Sequence, residues 1–547
     1  MARQNTTPVQ FQRQQRRDDS ILMTSGRAGV VTPIGYIPIL RGDSGSGQVG
    51  IDVELGQMPR PLLNAATANV QAWFVPKSIY PQFTGKDDFR AAYQGNQIVA
   101  LGASPRDAPP YMMATKNSTE FAAVGASTFA KTLGLHLGAY DSGNINVDLI
   151  DAFNLVYNFR LAAHSSRIER KKYFAESASE ALALPRAFWP SGRFSRVVPD
   201  YERALIVGSL DLDVTAGQIP IWSYNKANIA AAGDKQVPSM DNMSVDPANG
   251  GPQTKGDLYK WSTADDRLSI FAEMRNTTIG TTLADIDKAR QTQAFAKLRS
   301  SYAGNEYSGF DNDNTLVAEL MQGFVVDADE FNRPVLLDSK RVTFGMAERH
   351  ATDGTNLDKS VTQGRASATL SLNLPQVDTG GVIVFTLEVL PERLDERQSD
   401  EWLFITDPSG FPDALRDVQR PEPVDMVLNR RLDAAHTLPN ALYGYEAMND
   451  VWNRSTTRLG GAFYQADPTN PFSEQRSAIW QTSIVDPTFT KDHWLAPANF
   501  PHDVFADSTA PAFEAVVRHT FSIVGLTQIG DVLVENNDDY AGITEQE

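Results

Sequence analysis

Residues 26–79 read GRAGVVTPIGYIPILRGDSGSGQVGIDVELGQMPRPLLNAATANVQAWFVPKSI. Three short apolar segments sit in this stretch. Val30 to Leu40 is rich in β-branched residues but interrupted by Pro33 and Pro38. A proline removes a ladder donor, so this segment is expected at a sheet edge or broken by a bend. Ile51-Asp52-Val53-Glu54-Leu55 alternates with period two, giving one face to a core and one to water. Val70 to Val75 carries Trp73 and Phe74 and stops at Pro76. Gly, Ser, Asp and Pro fill the intervals. Short strands joined by turn-rich loops point to a sandwich or jelly roll, not a parallel sheet.

The same alternation returns late in the chain. Ala368, Leu370, Leu372 and Leu374 alternate up to Pro375, and after Gly380-Gly381 comes VIVFTLEVLP, a near-continuous apolar run expected of a central strand covered on both faces. Residues 512–529, AFEAVVRHTFSIVGLTQI, supply closing strand material. Strands thus fall early and late, with helices and loops between. The expected architecture is mainly β: a single eight-stranded antiparallel jelly roll over residues 26–530, its ends pairing with each other, with large helix- and loop-containing insertions at about 80–205 and 223–365. The first insertion is expected to hold short helices. In it, residues 146–161 place Ile150, Phe153, Val156, Tyr157 and Leu161 on one helical face, with Asn146 as a cap. Further helices are expected at 282–298 and 315–323, strand material at 205–222, and an exposed loop at 223–265. Residues 1–25 are polar and aperiodic and read as a flexible basic arm; residues 531–547 form an acidic tail.

Composition narrows the function. The chain of 547 residues, with 41% hydrophobic and 21% charged residues, has the make-up of a globular protein long enough for one large domain or several ordinary ones. No apolar run approaches the length of a membrane-spanning helix, and the N-terminus MARQNTTPVQFQRQQRRDD lacks the apolar core of a secretory signal. There are no cysteines, which removes disulfides, thiolate metal sites and cysteine nucleophiles and fits a reducing cytoplasm. A net charge of −18 argues against a general nucleic-acid-binding surface.

The charge is nevertheless uneven. From Arg160 to Arg196 there are eight cations (Arg160, Arg167, Arg170, Lys171, Lys172, Arg186, Arg193, Arg196) against three acids (Glu169, Glu176, Glu180), a net of +5. The arm adds Arg3, Arg13, Arg16 and Arg17. Tyr173, Phe174, Phe188, Trp189 and Phe194 are interleaved with the later cations. Cations that track phosphates and rings that stack on bases bind single-stranded nucleic acid without reading its sequence. The twelve cations are therefore the candidate nucleic-acid contacts. The same pattern also fits rings in a core with cations at its rim.

Other motifs do not carry chemistry. Gly45-Ser46-Gly47-Gln48-Val49-Gly50 is a formal dinucleotide fingerprint, but a strand pattern follows it where a helix N-terminus is needed, so the glycines read as a mobile turn. Gly42-Asp43-Ser44-Gly45 resembles a serine-protease nucleophile loop, yet the first histidine is His136, so the triad order fails. Asp311-Asn312-Asp313-Asn314-Thr315 opens like a calcium loop but has Leu316 for the invariant glycine and Gln322 for the closing glutamate. No catalytic centre, cofactor or metal site is expected.

The series GRAGVVTPI, PILRGDS and PLLNAATANVQAWFVP resembles the amino-terminal part of the major capsid proteins of microviruses, small tailless bacteriophages with single-stranded DNA. FNLVYNFR (153–160), KKYFAESASEALALPRAFWP, TTLADIDKARQTQAFAKL and LYGYEAMNDVWNRSTTRLGGAF (442–463) resemble later segments of that family, in the same order. The resemblance implies a coat protein that forms pentamers and a T=1 icosahedral shell around circular single-stranded DNA. It implies assembly in the host cytoplasm, a small basic DNA-packaging protein and minor virion proteins as partners, a host cell-surface receptor, and no membrane insertion. The 223–265 loop and the acidic tail match no motif of that family. The alternative from the residues alone is a secreted β-sandwich enzyme or carbohydrate-binding protein.

Overall fold

The computed structural model describes residues 11–83, 86–95, 107–115, 118–136, 145–164, 168–190, 192–199, 221–225, 235–236, 268–272, 333–350, 360–395, 397–419, 424–453, 457–464, 478–480 and 486–530. The chain divides into two compact units, one of residues 1–201 with 302–547 and one of residues 202–301. The larger unit is mainly β. Its opening strands are β1 (Gln14–Gly26), β2 (Val31–Ile39), β3 (Asp43–Leu55) and β4 (Ala66–Pro76), followed by the two-residue pair β5 (Ala114–Thr115) and β6 (Ile145–Asn146). The smaller unit contributes β7 (Ile221–Asn225), β8 (Lys235–Gln236) and β9 (Leu268–Ala272), one antiparallel sheet with β7 at its centre. The larger unit resumes with β10 (Val335–Thr343), β11 (Gly345–His350), β12 (Ser360–Val377), β13 (Gly381–Pro391), β14 (Val424–Leu428), β15 (Leu442–Ala447) and β16 (Phe513–Gly525).

Two antiparallel sheets dominate. One has the order β1-β16-β3-β12-β11 and the other β10-β4-β13-β2. The alternation read in the sequence sets their faces. Val49, Ile51, Val53 and Leu55 of β3 are buried while Asp52 and Glu54 point out. Leu370, Leu372 and Leu374 of β12 and Val517, Phe521 and Ile523 of β16 join them in one core with Ile34, Ile37, Val70, Phe74, Ile383, Phe385 and Leu387 of the second sheet. Both sheets therefore line the same core, as in a β sandwich. β2 is an edge strand, as its prolines require, and its register with β13 slips opposite Pro33 and Gly35.

β13 is central and covered on both faces. Its outer side chains Val384, Thr386 and Glu388 lie beside Trp73, Gln71 and Asn69 of β4. Helix α1 (Lys86–Gln94), α2 (Ser118–Ala126) and α3 (Thr128–Thr132) precede α4 (Asp148–Ala162), which covers this outer face, and α5 (Ala178–Leu182) follows. Phe159 of α4 meets Trp73 edge-on with centroids 5.9 Å apart. The N-cap position of α4 is Val147, not Asn146; Asn146 stands one residue earlier and accepts from the N–H of the first helical residue, Asp148, at 2.9 Å. However, α4 is buried on more than its apolar face. Asp151, Asn154 and Asn158 are sealed as well, because their side chains bond the backbone of residues 171–181.

Three expectations are corrected. Residues 14–25 are not a free arm: they pair with β16 from Gln14 to Gly26, so the first and last strands lie side by side. Gly45, Gly47 and Gly50 are not a mobile turn but lie in β3, between β16 and β12. A Cβ on Gly47 would stand 2.2 Å from the Thr520 carbonyl oxygen, and Phe521 fills the space that side chains at Gly45 and Gly47 would take. In the expected 223–265 loop, residues 223–225 belong to β7 and residues 235–236 are β8. The helices expected at 282–298 and 315–323, the strand material before residue 221 and the acidic tail lie outside the described residues. Among the described residues no helix is long and apolar enough to cross a membrane.

Candidate functional site: cations, an ionic lobe and an apolar surface

The fold turns most of the basic segment inward. Arg160 leaves the end of α4, pairs with Glu388 of β13 and stacks over Phe188 at 4.2 Å. Arg170 makes a two-pronged bond to Glu176 at 2.9 and 2.6 Å, and Lys172 reaches Glu180 at 2.8 Å. Arg186 pairs with Asp492 and donates to the carbonyls of Leu495 and Ala496. Arg193 bridges Glu446 at 2.9 Å and Asp450 at 2.8 Å. The local excess of positive charge is thus met by Glu388, Glu446, Asp450 and Asp492, acids far away in sequence.

Lys171 is held differently. Its Nζ donates to Asn154 Oδ1 at 2.6 Å and to the Ala181 carbonyl at 2.8 Å. Burial pushes its pKa down from 10.5 to about 7, and the nearby Asp151 charge opposes the fall. Burial likewise raises Asp151 to about 6, against the Phe174 N–H that bonds its carboxylate. These groups tie α4 to the 171–181 segment.

In the β1 region, Arg13 donates to the carbonyls of Gly42 and Val524, at 2.9 and 2.7 Å. Arg16 pairs at 2.6 Å with Asp43, which is fully buried. Arg17 makes only a slack 3.7 Å pair with Asp19. Arg3 and Arg167 lie outside the described residues. The structure does not gather the described candidates into one cationic groove. Of the described candidates, Arg13, Arg17, Arg170 and Arg196 are exposed and Lys172 is half-exposed, while Arg13, Arg170 and Lys172 are already held by protein partners. The ring half of the constellation also turns inward: Tyr173, Phe174, Phe188 and Phe194 are buried, and Trp189 packs on Phe500. These rings build the core and offer no face to a base.

Arg193 leads instead to a lobe built in part from the 442–463 segment, for which the sequence suggested no ionic role. Phe194 and Val197 form a small separate core with Val427, Leu432 and Tyr443. β14 and β15 make its hairpin, and Val198 bridges to Tyr445. Gly444 has no room for a Cβ, which would stand 2.6 Å from the Val198 carbonyl oxygen. An alternating chain of charges threads the lobe. Glu401 bonds Arg431 at 2.7 Å, Arg431 bonds Glu446 at 2.5 Å, and Glu446 continues to Arg193 and Asp450. The Arg431, Glu446 and Arg193 side chains are almost wholly excluded from water. His493 closes the lobe through a 2.8 Å bond with the Tyr443 hydroxyl and a stack on Phe489. Burial lowers its pKa to about 3 and keeps it neutral.

Above this network lies a cleft of about 620 Å³ whose lining includes Glu401, Arg431 and Glu446 and the apolar Trp402, Ile405, Met426, Val451 and Trp452. Around it the surface is apolar. Trp402, Leu403 and Phe404 are 50, 65 and 63% exposed, and Leu415, Val418 and Met426 are more than half exposed. Exposed large apolar side chains gathered in this way are unusual on the surface of a monomer. The signal was present in the sequence as four consecutive large apolar residues, Trp402 to Ile405, inside DEWLFITD, where a charged surface segment tolerates few. No family model matches the chain, and no curated protein matches it.

Proposed function

We propose that the chain is the major coat protein of a small icosahedral virus with a single-stranded DNA genome, of the microvirus kind, and that its body is an eight-stranded jelly roll. The observation that carries this reading is the set of strand pairs. A jelly roll is a long antiparallel hairpin wrapped around a core, so its first strand pairs with its last, its second with its second-last, and so inward. Here β1 pairs with β16, β2 with β13, β3 with β12 and β4 with β10. The wrapping is closed by β16 on β3 and by β13 on β4. β11 is then an added strand, hairpinned onto β12. Coat proteins use this winding, as do lectins and cupins. The order of the resembling segments favours a coat protein among these. So does the apolar surface around Trp402, which suits burial against neighbouring subunits.

The function on this reading is assembly. Many modest contacts between copies act together around closed symmetry axes. Arg13, Arg17, Arg170, Lys172 and Arg196 are the described candidate cations that phosphates could reach. The test is electron microscopy and sedimentation of the purified protein, with extraction of nuclease-protected nucleic acid. Closed particles or pentamers, holding single-stranded DNA when isolated from infected cells, are the expected result. A small oligomer that binds a polysaccharide would replace the coat reading with the lectin one.

A further inference from the structure

β1 is the outermost strand of its sheet and, among the described residues, has a strand partner on one side only. An unpaired edge presents a row of free N–H and C=O groups, and natural edges are usually blunted by proline, a bulge, a short length or charged side chains. β1 lacks the first three; its charges are Arg16, Arg17, Asp18 and Asp19, two of each sign, so they do not repel a second copy as a single-sign edge would. It runs thirteen residues, contains no proline, and keeps unbroken register with β16 from Gln14 to Gly26. One end of the edge is occupied, because Thr128, Lys131 and Thr132 line a cleft together with Met23, Thr24 and Ser25. The open stretch is therefore Gln14 to Leu22, and its midpoint is Asp18.

The side chains of this stretch are self-complementary. Arg17, Asp19 and Ile21 lie on the outer face of the sheet, and their side chains are largely in water. Opposite residues of an antiparallel pair point to the same face, so a two-fold axis perpendicular to the sheet must pass through a residue position. With the axis at Asp18, Arg17 stands across from the partner's Asp19 and Ile21 across from the partner's Gln15. Symmetry repeats both pairs. Asp18 faces its own copy, but each Asp18 is already held at 2.9 Å by His519.

We propose that the free edge of β1 pairs antiparallel with the β1 edge of a second copy of this chain about a two-fold axis at Asp18, continuing the sheet across two subunits. The inference deepens the coat-protein reading and rests on it for the need of a second copy. The contact is isologous, so it closes and does not propagate into a fibre.

The test uses the absence of native cysteines. In the full-length chain, the double variant Arg17→Cys with Asp19→Cys should oxidise to a covalent dimer of twice 60.1 kDa. In the otherwise native chain, Arg17→Asp or Asp19→Arg alone sets like charges across the axis and should abolish the two-fold contact in sedimentation. The swap that combines them restores opposite charges and should restore the contact. Circular dichroism of each variant reports that the exposed substitutions leave the fold intact. No covalent dimer, or a swap that fails to restore association, overturns the inference. A wild-type chain that closes into shells while the cysteine variant stays uncrosslinked loses only the edge contact. A chain that crosslinks but never forms closed particles loses only the coat reading.

Discussion

Arg193 and Glu446 meet at 2.9 Å with 6 and 0% of their side chains exposed, and each also holds a second partner of the opposite sign. The pair sits at the junction between the basic segment and the β14–β15 lobe. Removing one member of a buried pair leaves an uncompensated charge in a low-dielectric site, which costs roughly 3–5 kcal/mol. Arg193→Met is therefore expected to destabilise the chain on that scale in urea titration and to make the lobe protease-sensitive. Arg170→Met is the contrast. Its pair with Glu176 is near half exposed, and such pairs contribute about 0–1 kcal/mol. Equal losses for the two variants would contradict a structural role for Arg193.

Lys171 gives a pH signature. Its pKa falls from 10.5 unfolded to about 7 folded, so between those values the unfolded chain binds a proton that the folded chain does not. Stability should therefore rise with pH from about 7 towards 10.5 and be lost as pH falls through that window. Asp151 runs the other way: raised from 3.8 to about 6, it contributes stability below 3.8 that is lost as pH rises through about 6. His493, lowered from 6.5 to about 3, contributes stability above 6.5 that is lost as pH falls, and so opposes Asp151 in the acid range. The alkaline rise is thus the clear signal. Lys171→Met should reduce it in denaturation midpoints measured across that range, whatever its effect on absolute stability; Lys77, also lowered by burial, keeps part of the rise. A variant that keeps the wild-type slope would mean that Lys171 stays charged in the folded chain.

Much of the sandwich was legible because period-two alternation is local. Ile51 to Leu55, Ala368 to Leu374 and the run at Val382 to Pro391 announced their faces and even their place in the sheet. Pro33 and Pro38 announced an edge. The pairing of the chain's ends could be expected from the clustering of strands early and late. What sequence reading could not supply was partners. Arg160, Arg186 and Arg193 looked like free cations because Glu388, Asp492 and Glu446 stand hundreds of residues away, and only the fold brings them together. β1 was missed for a related reason: its polar, arginine-rich sequence has no buried face of its own and is ordered by the β16 backbone. Gly45 and Gly47 read as a turn because the ring that fills their place, Phe521, lies at the other end of the chain.

That last relationship is testable. A methyl group on Gly47 would meet the Thr520 carbonyl oxygen at 2.2 Å, a backbone atom that cannot rotate away. Gly47→Ala is expected to cost about 1–3 kcal/mol, the usual range for overpacking a close-packed site. Gly460→Ala is the control, since nothing lies within 4 Å of its added methyl. Thermal melts of the two variants should separate clearly; coincident melts would mean that β3 and β16 are not packed this closely.

The exposed apolar surface separates folding from assembly. Trp402 and Phe404 are 50 and 63% exposed, so they add little to the core of a single subunit. Replacing both with Ser should leave the melting temperature of the isolated subunit within the scatter of neutral surface changes, about 0.5 kcal/mol in stability. At an interface, large aromatic residues carry a disproportionate share of the binding, about 2 kcal/mol or more each where they are fully desolvated. Repeated around every symmetry axis, such a loss raises the concentration needed for closure steeply. On the coat-protein reading, the double variant is therefore expected to fold normally and to stay as small oligomers at concentrations where the wild-type chain would close into particles, as read by light scattering and electron microscopy. If the variant closes into particles at the wild-type threshold, this surface does not bind neighbouring subunits.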